Sequence, residues 1–111
     1  MLSPGPALRV SLYVGEGHHR HGHSVAQSIY DLLYQRRVAG ATLFRAVAGF
    51  GAGHHPHSAD LLAASENLPL LIEFIDSREA VEALLPEIRT LLGDGLILTQ
   101  PVEVYVTGNL K

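Results

Sequence analysis

The chain has 111 residues, no cysteine and a formal net charge of −3 at pH 7. This length predicts one domain, and the absence of thiols excludes disulfides and thiolate metal sites. The acidic balance gives no broad attraction to a phosphate backbone, which excludes nucleic acid as the main partner. Because the sequence shows neither a signal peptide nor an apolar stretch of membrane-spanning length, we expect a cytoplasmic protein. We expect residues 1–7 to form a loose arm and residues 8–108 to form the domain.

The first half of the chain predicts a strand, a helix and a second strand. Apolar and polar residues alternate over residues 8–14, which is typical of a half-buried strand. A histidine-rich loop follows, and then Ser24 and Gln27 have the spacing of a capping box. A helix is therefore expected from Ser24 to Arg37. Residues 41–47 predict the second strand.

The second half predicts a strand, a helix and a last strand. Residues 68–75 are almost continuously apolar, as expected for a strand near the middle of a sheet. Asp76 is expected to begin the second helix. Pro86 lies inside this helix and removes a backbone donor, so we expect a kink or a break there. The last strand is expected over residues 96–106, with an interruption near Pro101.

The order β-α-β-β-α-β is typical of the ferredoxin-like α+β sandwich. Right-handed crossovers place both helices on one face of an antiparallel sheet, with the strand order four-one-three-two. In this topology, the ends of the first two strands and the start of the fourth lie at one edge of the sheet. The other face would expose apolar side chains, so we expect a homo-oligomer that covers them. These side chains are Tyr13, Leu71, Ile75 and Tyr105.

All seven histidines fall in two short runs that the predicted topology brings to that same edge. Neutral imidazole binds zinc, copper and nickel, so the runs are a candidate site for a divalent transition metal. Their spacing matches neither a helical His-x3-His pair nor a zinc finger, and solvated loop histidines are the alternative interpretation. The candidate metal ligands are His18, His19, His21, His23, His54, His55 and His57.

Catalytic motifs do not stand out in the sequence. The chain has no cysteine nucleophile and no Gly-x-Ser-x-Gly nucleophile elbow. Its carboxylates lie mainly on the second predicted helix, where Glu79, Glu82 and Glu87 indicate a solvated face. We therefore expect that the protein is not an enzyme.

Four glycine-bearing motifs occur in an order that is characteristic of one superfamily. They are Gly40-Ala41-Thr42, Gly49-Phe50-Gly51, Gly93-Asp94-Gly95 and Val106-Thr107-Gly108. Their order and approximate spacing resemble those of the PII signal-transduction superfamily. The run from Ala39 to Arg45, together with Leu68-Pro69 and Leu85-Pro86-Glu87, is more similar still to a PII-like family known as a numbered domain of unknown function. The resemblance extends over nearly the whole chain.

This resemblance implies a homotrimer with a ferredoxin-like core that binds an adenine nucleotide between subunits. The 52–67 loop corresponds to the PII T-loop, which reads partners, and this implies regulation of a membrane transporter or an enzyme. Glycine-rich turns suit phosphate because their backbone amides can approach it closely. The matching positions are Thr42 at the adenine, Gly49, Phe50 and Gly51 at the T-loop base, and Gly93, Asp94 and Gly95 at the phosphates.

The chain lacks the basic residues that bind phosphate in PII proteins. Leu96 stands where PII proteins have a phosphate-binding lysine, and the last strand lacks the PII arginines. ATP would lose several charge-assisted hydrogen bonds, each worth about 1.5–3 kcal/mol. We therefore expect AMP or ADP as the effector, or no nucleotide at all, rather than ATP, with a signal passed through the 52–67 loop. The alternative is a metal-binding or metal-sensing protein that uses both histidine runs and resembles in fold the divalent-cation-tolerance proteins.

Overall fold

The structure is a computed structural model that describes residues 2–15, 19–20, 23–49 and 69–108. Four of its strands form the main sheet, and two short strands form a separate ribbon. Two helices complete the described part of the chain. The elements are β1 (Gly5–Gly15), β2 (His19–Arg20), β3 (His23–Ser24), α1 (Val25–Gln35), β4 (Ala41–Arg45), β5 (Pro69–Asp76), α2 (Arg78–Leu92) and β6 (Leu96–Val104).

The main sheet is antiparallel throughout and has the order β4-β5-β1-β6. This is the predicted order four-one-three-two, written from the opposite side. Helix α2 packs on β1, whereas α1 packs on β4 and β5. The structure thus confirms the ferredoxin-like α+β fold. Neither helix in the described ranges is long and apolar enough to cross a membrane.

The hydrophobic core lies between the helices and one face of the sheet. Alternate residues of β1 and β5 point toward the helices, which present their own apolar stripes. Within the described part of the chain, no polar or charged side chain is buried. The core consists of Leu8, Val10, Leu12, Val14, Val25, Ala26, Ile29, Leu32, Leu33, Leu70, Ile72, Phe74, Val81, Leu84, Ile88 and Leu92.

A serine hydroxyl caps each helix. The Oγ atom of Ser24 accepts a hydrogen bond from the Gln27 N–H, and that of Ser77 accepts one from the Ala80 N–H, both at 3.2 Å. The first cap confirms Ser24 as the expected start of the helix, but the capping box is incomplete, because the Gln27 side-chain amide donates to Asp31. The expected cap at Asp76 is wrong because this residue stays in β5, paired with β1. Its carboxylate instead accepts a hydrogen bond from the Ser77 N–H at 2.8 Å.

The structure corrects three expectations that involve proline, one of them in part. Helix α2 is a single helix through Pro86, so the expected break is wrong, whereas the alternative of a kink stays a prediction. Pro86 is exposed, so the carbonyl without a helical donor can be hydrated. Strand β6 continues through Pro101 because it is an outer strand, where a missing N–H can face away from the sheet. Strand β1 begins at Gly5, so residues 5–7 belong to the sheet rather than to a loose arm. Pro6 pairs there with β6 alone, beyond the end of β5.

Helix α1 ends at a left-handed residue that is not glycine. Arg37 has a φ of 58°, and its N–H donates to the Tyr34 carbonyl oxygen at 3.2 Å. The N–H of Val38 donates to the Leu33 carbonyl oxygen, also at 3.2 Å. These two bonds form a Schellman motif, whose left-handed position usually holds glycine. A side chain in this conformation costs about 1–2 kcal/mol.

The substitution Arg37→Gly is expected to raise the free energy of unfolding by about 0.5–1 kcal/mol, because relief of the backbone strain outweighs the extra entropy of the unfolded chain. Equilibrium unfolding in urea measures this change. Arg37→Ala is the matched control, since it removes the same side chain but keeps the Cβ atom, and it should give no gain. Equal gains from the two variants would contradict the backbone explanation.

Candidate functional site

The register of the main sheet brings one end of each of its four strands to the same side of the sheet. Gly15, at the end of β1, lies opposite the first residue of β5. Arg45, at the end of β4, pairs near the same point of β5. Leu96, at the start of β6, pairs with Tyr13 near the end of β1. The predicted meeting of these ends is confirmed, and we call this side of the sheet the loop edge.

The turn Gly93-Asp94-Gly95 leads into β6 at the loop edge. Gly93 ends α2 with a φ of 62°, and its N–H donates to the Arg89 carbonyl oxygen at 3.1 Å. This N–H group is therefore used to close the helix. Amide donors for a bound phosphate would come from Asp94 and Gly95 instead.

Gly95 is constrained by its contact with a core side chain. A Cβ atom at this position would lie 2.6 Å from Cγ and 2.7 Å from Cδ1 of Leu92, closer than carbon atoms approach without bonding. Leu92 is only 2% exposed and is packed in the core, so it has little freedom to move away. Packing alone therefore requires glycine at position 95, whether or not this turn binds phosphate.

Gly95→Ala is expected to lower the free energy of unfolding by about 1–3 kcal/mol, because the added methyl group must displace Leu92. Gly40→Ala is the control, since no atom lies within 4 Å of a Cβ built there. Urea unfolding of both variants measures the difference. If Gly95→Ala were as stable as the wild type, the Leu92 contact would not be the constraint we describe.

Thr42 lies on the sheet face that the helices leave uncovered, which we call the open face. It is exposed and stands directly opposite Glu73 of β5. The Glu73 side chain is half-buried, and within the described part of the chain it makes neither a hydrogen bond nor an ion pair. The sequence did not predict that these two residues are neighbours. The alternation of apolar and polar residues in each strand shows which side chains share a face, but only the register between β4 and β5 shows that Thr42 lies opposite Glu73.

An apolar row crosses the open face next to Thr42 and Glu73. It has one residue from each strand of the sheet, and each is directly opposite the next. In strand order they are Phe44, Leu71, Tyr13 and Leu96. Phe44, Tyr13 and Leu96 are 48%, 39% and 51% exposed. Contiguous exposed apolar side chains of this kind mark a surface that contacts another molecule.

The first histidine run contains a short ribbon, so the expectation of a simple loop is corrected. Its strands β2 and β3 pair His19 with Ser24 and Arg20 with His23. The backbone thus assigns His19 and His23 to different cross-strand pairs. The remaining candidate metal ligands, His18, His21, His54, His55 and His57, lie outside the described residues. Among residues that are described, no group of three metal-binding side chains is found.

The expected T-loop is only partly within the described ranges. Gly49 at its base has a φ of 152°, a conformation that residues with a side chain rarely adopt. Phe50, Gly51 and the 52–67 loop lie outside the described residues. Their assignment to the nucleotide site and to partner recognition therefore stays a prediction.

Comparison with known proteins identifies the family. The family model of DUF190, described as uncharacterized ACR, matches residues 7–104. The chain belongs to the DUF190 family. A UPF0166 protein of Methanocaldococcus jannaschii is 28% identical over 97 residues, which cover 86% of this chain and 89% of the relative. A UPF0166 protein of Aquifex aeolicus is 30% identical over 93 residues, which cover 84% of this chain and 88% of the relative.

Solved structures of CPII, a nitrogen regulatory PII-like protein from Thiomonas intermedia K12, share the fold of this DUF190 member. CPII bound to ADP and bicarbonate has a TM-score of 0.65 and 18% identity, with 94% of this chain and 93% of that chain covered. CPII bound to ADP, AMP and acetate has a TM-score of 0.66 and 16% identity, with 95% of this chain and 94% of that chain covered. The predicted fold and the predicted family, a numbered domain of unknown function, are thus confirmed.

Proposed function

We propose that this protein is a regulator that binds AMP or ADP between the subunits of a homotrimer and acts on a transporter or an enzyme through the 52–67 loop. One observation carries the proposal. Two elements that match PII nucleotide-binding positions, Thr42 and the Gly93-Asp94-Gly95 turn, lie at opposite sides of a PII-like sheet. CPII, which shares the fold, binds ADP and AMP. Such a regulator binds its nucleotide without chemistry, so we assign no catalytic residue.

The width of the sheet supports a site between protomers. Thr42 and Leu98 lie in one cross-sheet row, at the two outer strands, and Gly95 precedes Leu98 by three residues. With strands about 4.8 Å apart and residues about 3.4 Å apart, Thr42 and Gly95 of one protomer are about 18 Å apart. Within one protomer, a nucleotide would have to lie fully extended across the open face to contact both elements. We therefore place the nucleotide between neighbouring protomers, where the β4 side of one meets the β6 side of the next.

A contact between the β4 edge of one protomer and the β6 edge of the next joins two unlike surfaces. Contacts of this kind close into a ring when the rotation between neighbours is suitable. The PII resemblance implies a ring of three members. If the open faces turn toward the common axis, the row formed by Phe44, Leu71, Tyr13 and Leu96 becomes buried. The trimer therefore explains both the divided nucleotide site and the exposed apolar row.

The side chains of this site favour a nucleotide with few phosphates. The Thr42 hydroxyl can donate to or accept from adenine, and the amides of Asp94 and Gly95 can donate to phosphate. Leu96 contributes no charge to balance the phosphates. Each charge-assisted hydrogen bond that a cation would make is worth about 1.5–3 kcal/mol, and ATP would lose more of them than ADP or AMP. We therefore assign AMP or ADP as the ligand.

Calorimetric titration of the untagged protein is expected to show saturable binding of AMP or ADP, with ATP bound at least about tenfold more weakly. Thr42→Val removes the hydroxyl and should lower the affinity by roughly three- to tenfold. Thr99→Val is the matched control, because Thr99 is exposed on the helix side of β6, opposite the buried Val10. The proposal fails if no adenine nucleotide gives heat, or if both variants lose equal affinity.

The metal-binding alternative is tested in the same experiment. No observation on the described residues favours it, since only His19 and His23 of its candidate ligands are among them. Titration with zinc, copper and nickel, before and after replacement of all seven histidines by glutamine, isolates their contribution. Saturable metal binding that disappears in that variant, without any nucleotide binding by the wild type, would contradict the nucleotide proposal.

A further inference from the structure

The four strands of the main sheet place two charged side chains on the open face, Arg9 and Glu73. Arg9 lies in β1, opposite Ile75 on one side and Gln100 on the other. Glu73 lies in β5, opposite Thr42 and Ser11. The remaining open-face positions of these strands are neutral, so the face carries one cation and one anion.

Arg9 and Glu73 lie on the adjacent strands β1 and β5, offset by two residues in register, but their side chains do not pair with each other. The Arg9 guanidinium donates a hydrogen bond to the side-chain oxygen of Gln100, which directs it toward the β6 edge. A guanidinium has five N–H donors, and a bond to a neutral amide leaves its charge unbalanced. Glu73 stands next to β4, and no described side chain pairs with its carboxylate. The positive half therefore lies toward β6 and the negative half toward β4.

Ring closure brings these two halves together. In the trimer of the proposed function, the β6 side of one open face adjoins the β4 side of the next. We propose that Arg9 of each protomer forms an ion pair with Glu73 of its neighbour, across the interface that surrounds the ring axis. This inference rests on the ring assembly of the proposed function and names the polar contact that orders it.

Such a pair has a definite direction. Each protomer offers its guanidinium to one neighbour and its carboxylate to the other, so the pair between protomers forms only in head-to-tail order. A reversed protomer would place like charges together across the interface, which is costly when water is excluded. The apolar row contributes adhesion, whereas this pair specifies the orientation of neighbouring protomers.

Charge reversal tests the pair directly. Arg9→Glu and Glu73→Arg, made singly, should each weaken self-association by at least about tenfold in sedimentation equilibrium, and the double variant should recover most of the loss. Arg78→Glu and Glu82→Arg are the matched controls. They reverse an exposed pair on α2, 4.0 Å apart and away from the open face, and should leave the mass unchanged.

The proposal is overturned if both single variants remain trimeric or if the double variant stays dissociated. Should reversal unfold the protein, as judged by circular dichroism, Arg9→Met and Glu73→Gln remove each charge without adding another, and each must still weaken association. A Glu73→Gln variant that keeps its mass but no longer binds ADP would assign the carboxylate to the nucleotide and overturn the ion pair. A monomeric wild type overturns the ring itself, whereas an intact ring that binds no adenine nucleotide overturns only the proposed ligand.

Discussion

The pairing of β1 with a strand on each side is the constraint on which the rest of the structure depends. Because both pairings are antiparallel, the end of β1 meets the starts of β5 and β6, and β4 then ends at the same edge. The same pairing turns Leu8, Val10, Leu12 and Val14 toward the helices. A shift of one residue would move these side chains to the open face and separate the loops from the core that holds them. Core and candidate site therefore share one register.

Where local signals agree with tertiary pairing, the sequence predicts the fold well. Ser24 caps α1 as expected, with its hydroxyl accepting a hydrogen bond from the Gln27 N–H. Asp76 and Ser77 are both good capping residues, and the choice between them is made by β1, which keeps Asp76 in the sheet. The effects of Pro86 and Pro101 also depend on their surroundings in the fold. Each removes a donor, but whether this breaks an element depends on whether the affected backbone faces water, which a single sequence does not reveal.

The candidate site is predictable in its parts and less so in its arrangement. Motif order selects Thr42 and the Gly93-Asp94-Gly95 turn as candidates, but it does not show that Thr42 lies in one outer strand and the turn directly before the other. The neighbour relation between Thr42 and Glu73 depends on the strand register. Gly95 shows a further limit, because the Leu92 contact requires glycine for packing and so weakens any inference of phosphate binding from that residue alone.

The two outer strands, β4 and β6, differ from each other, and this has a consequence for assembly. In the proposed head-to-tail assembly, every added protomer leaves the same pair of unlike ends, so nothing in a single protomer stops addition after three copies. Only the angle between successive protomers decides whether the last one returns to the first. A small change in that angle would convert the proposed ring into a filament that grows without limit.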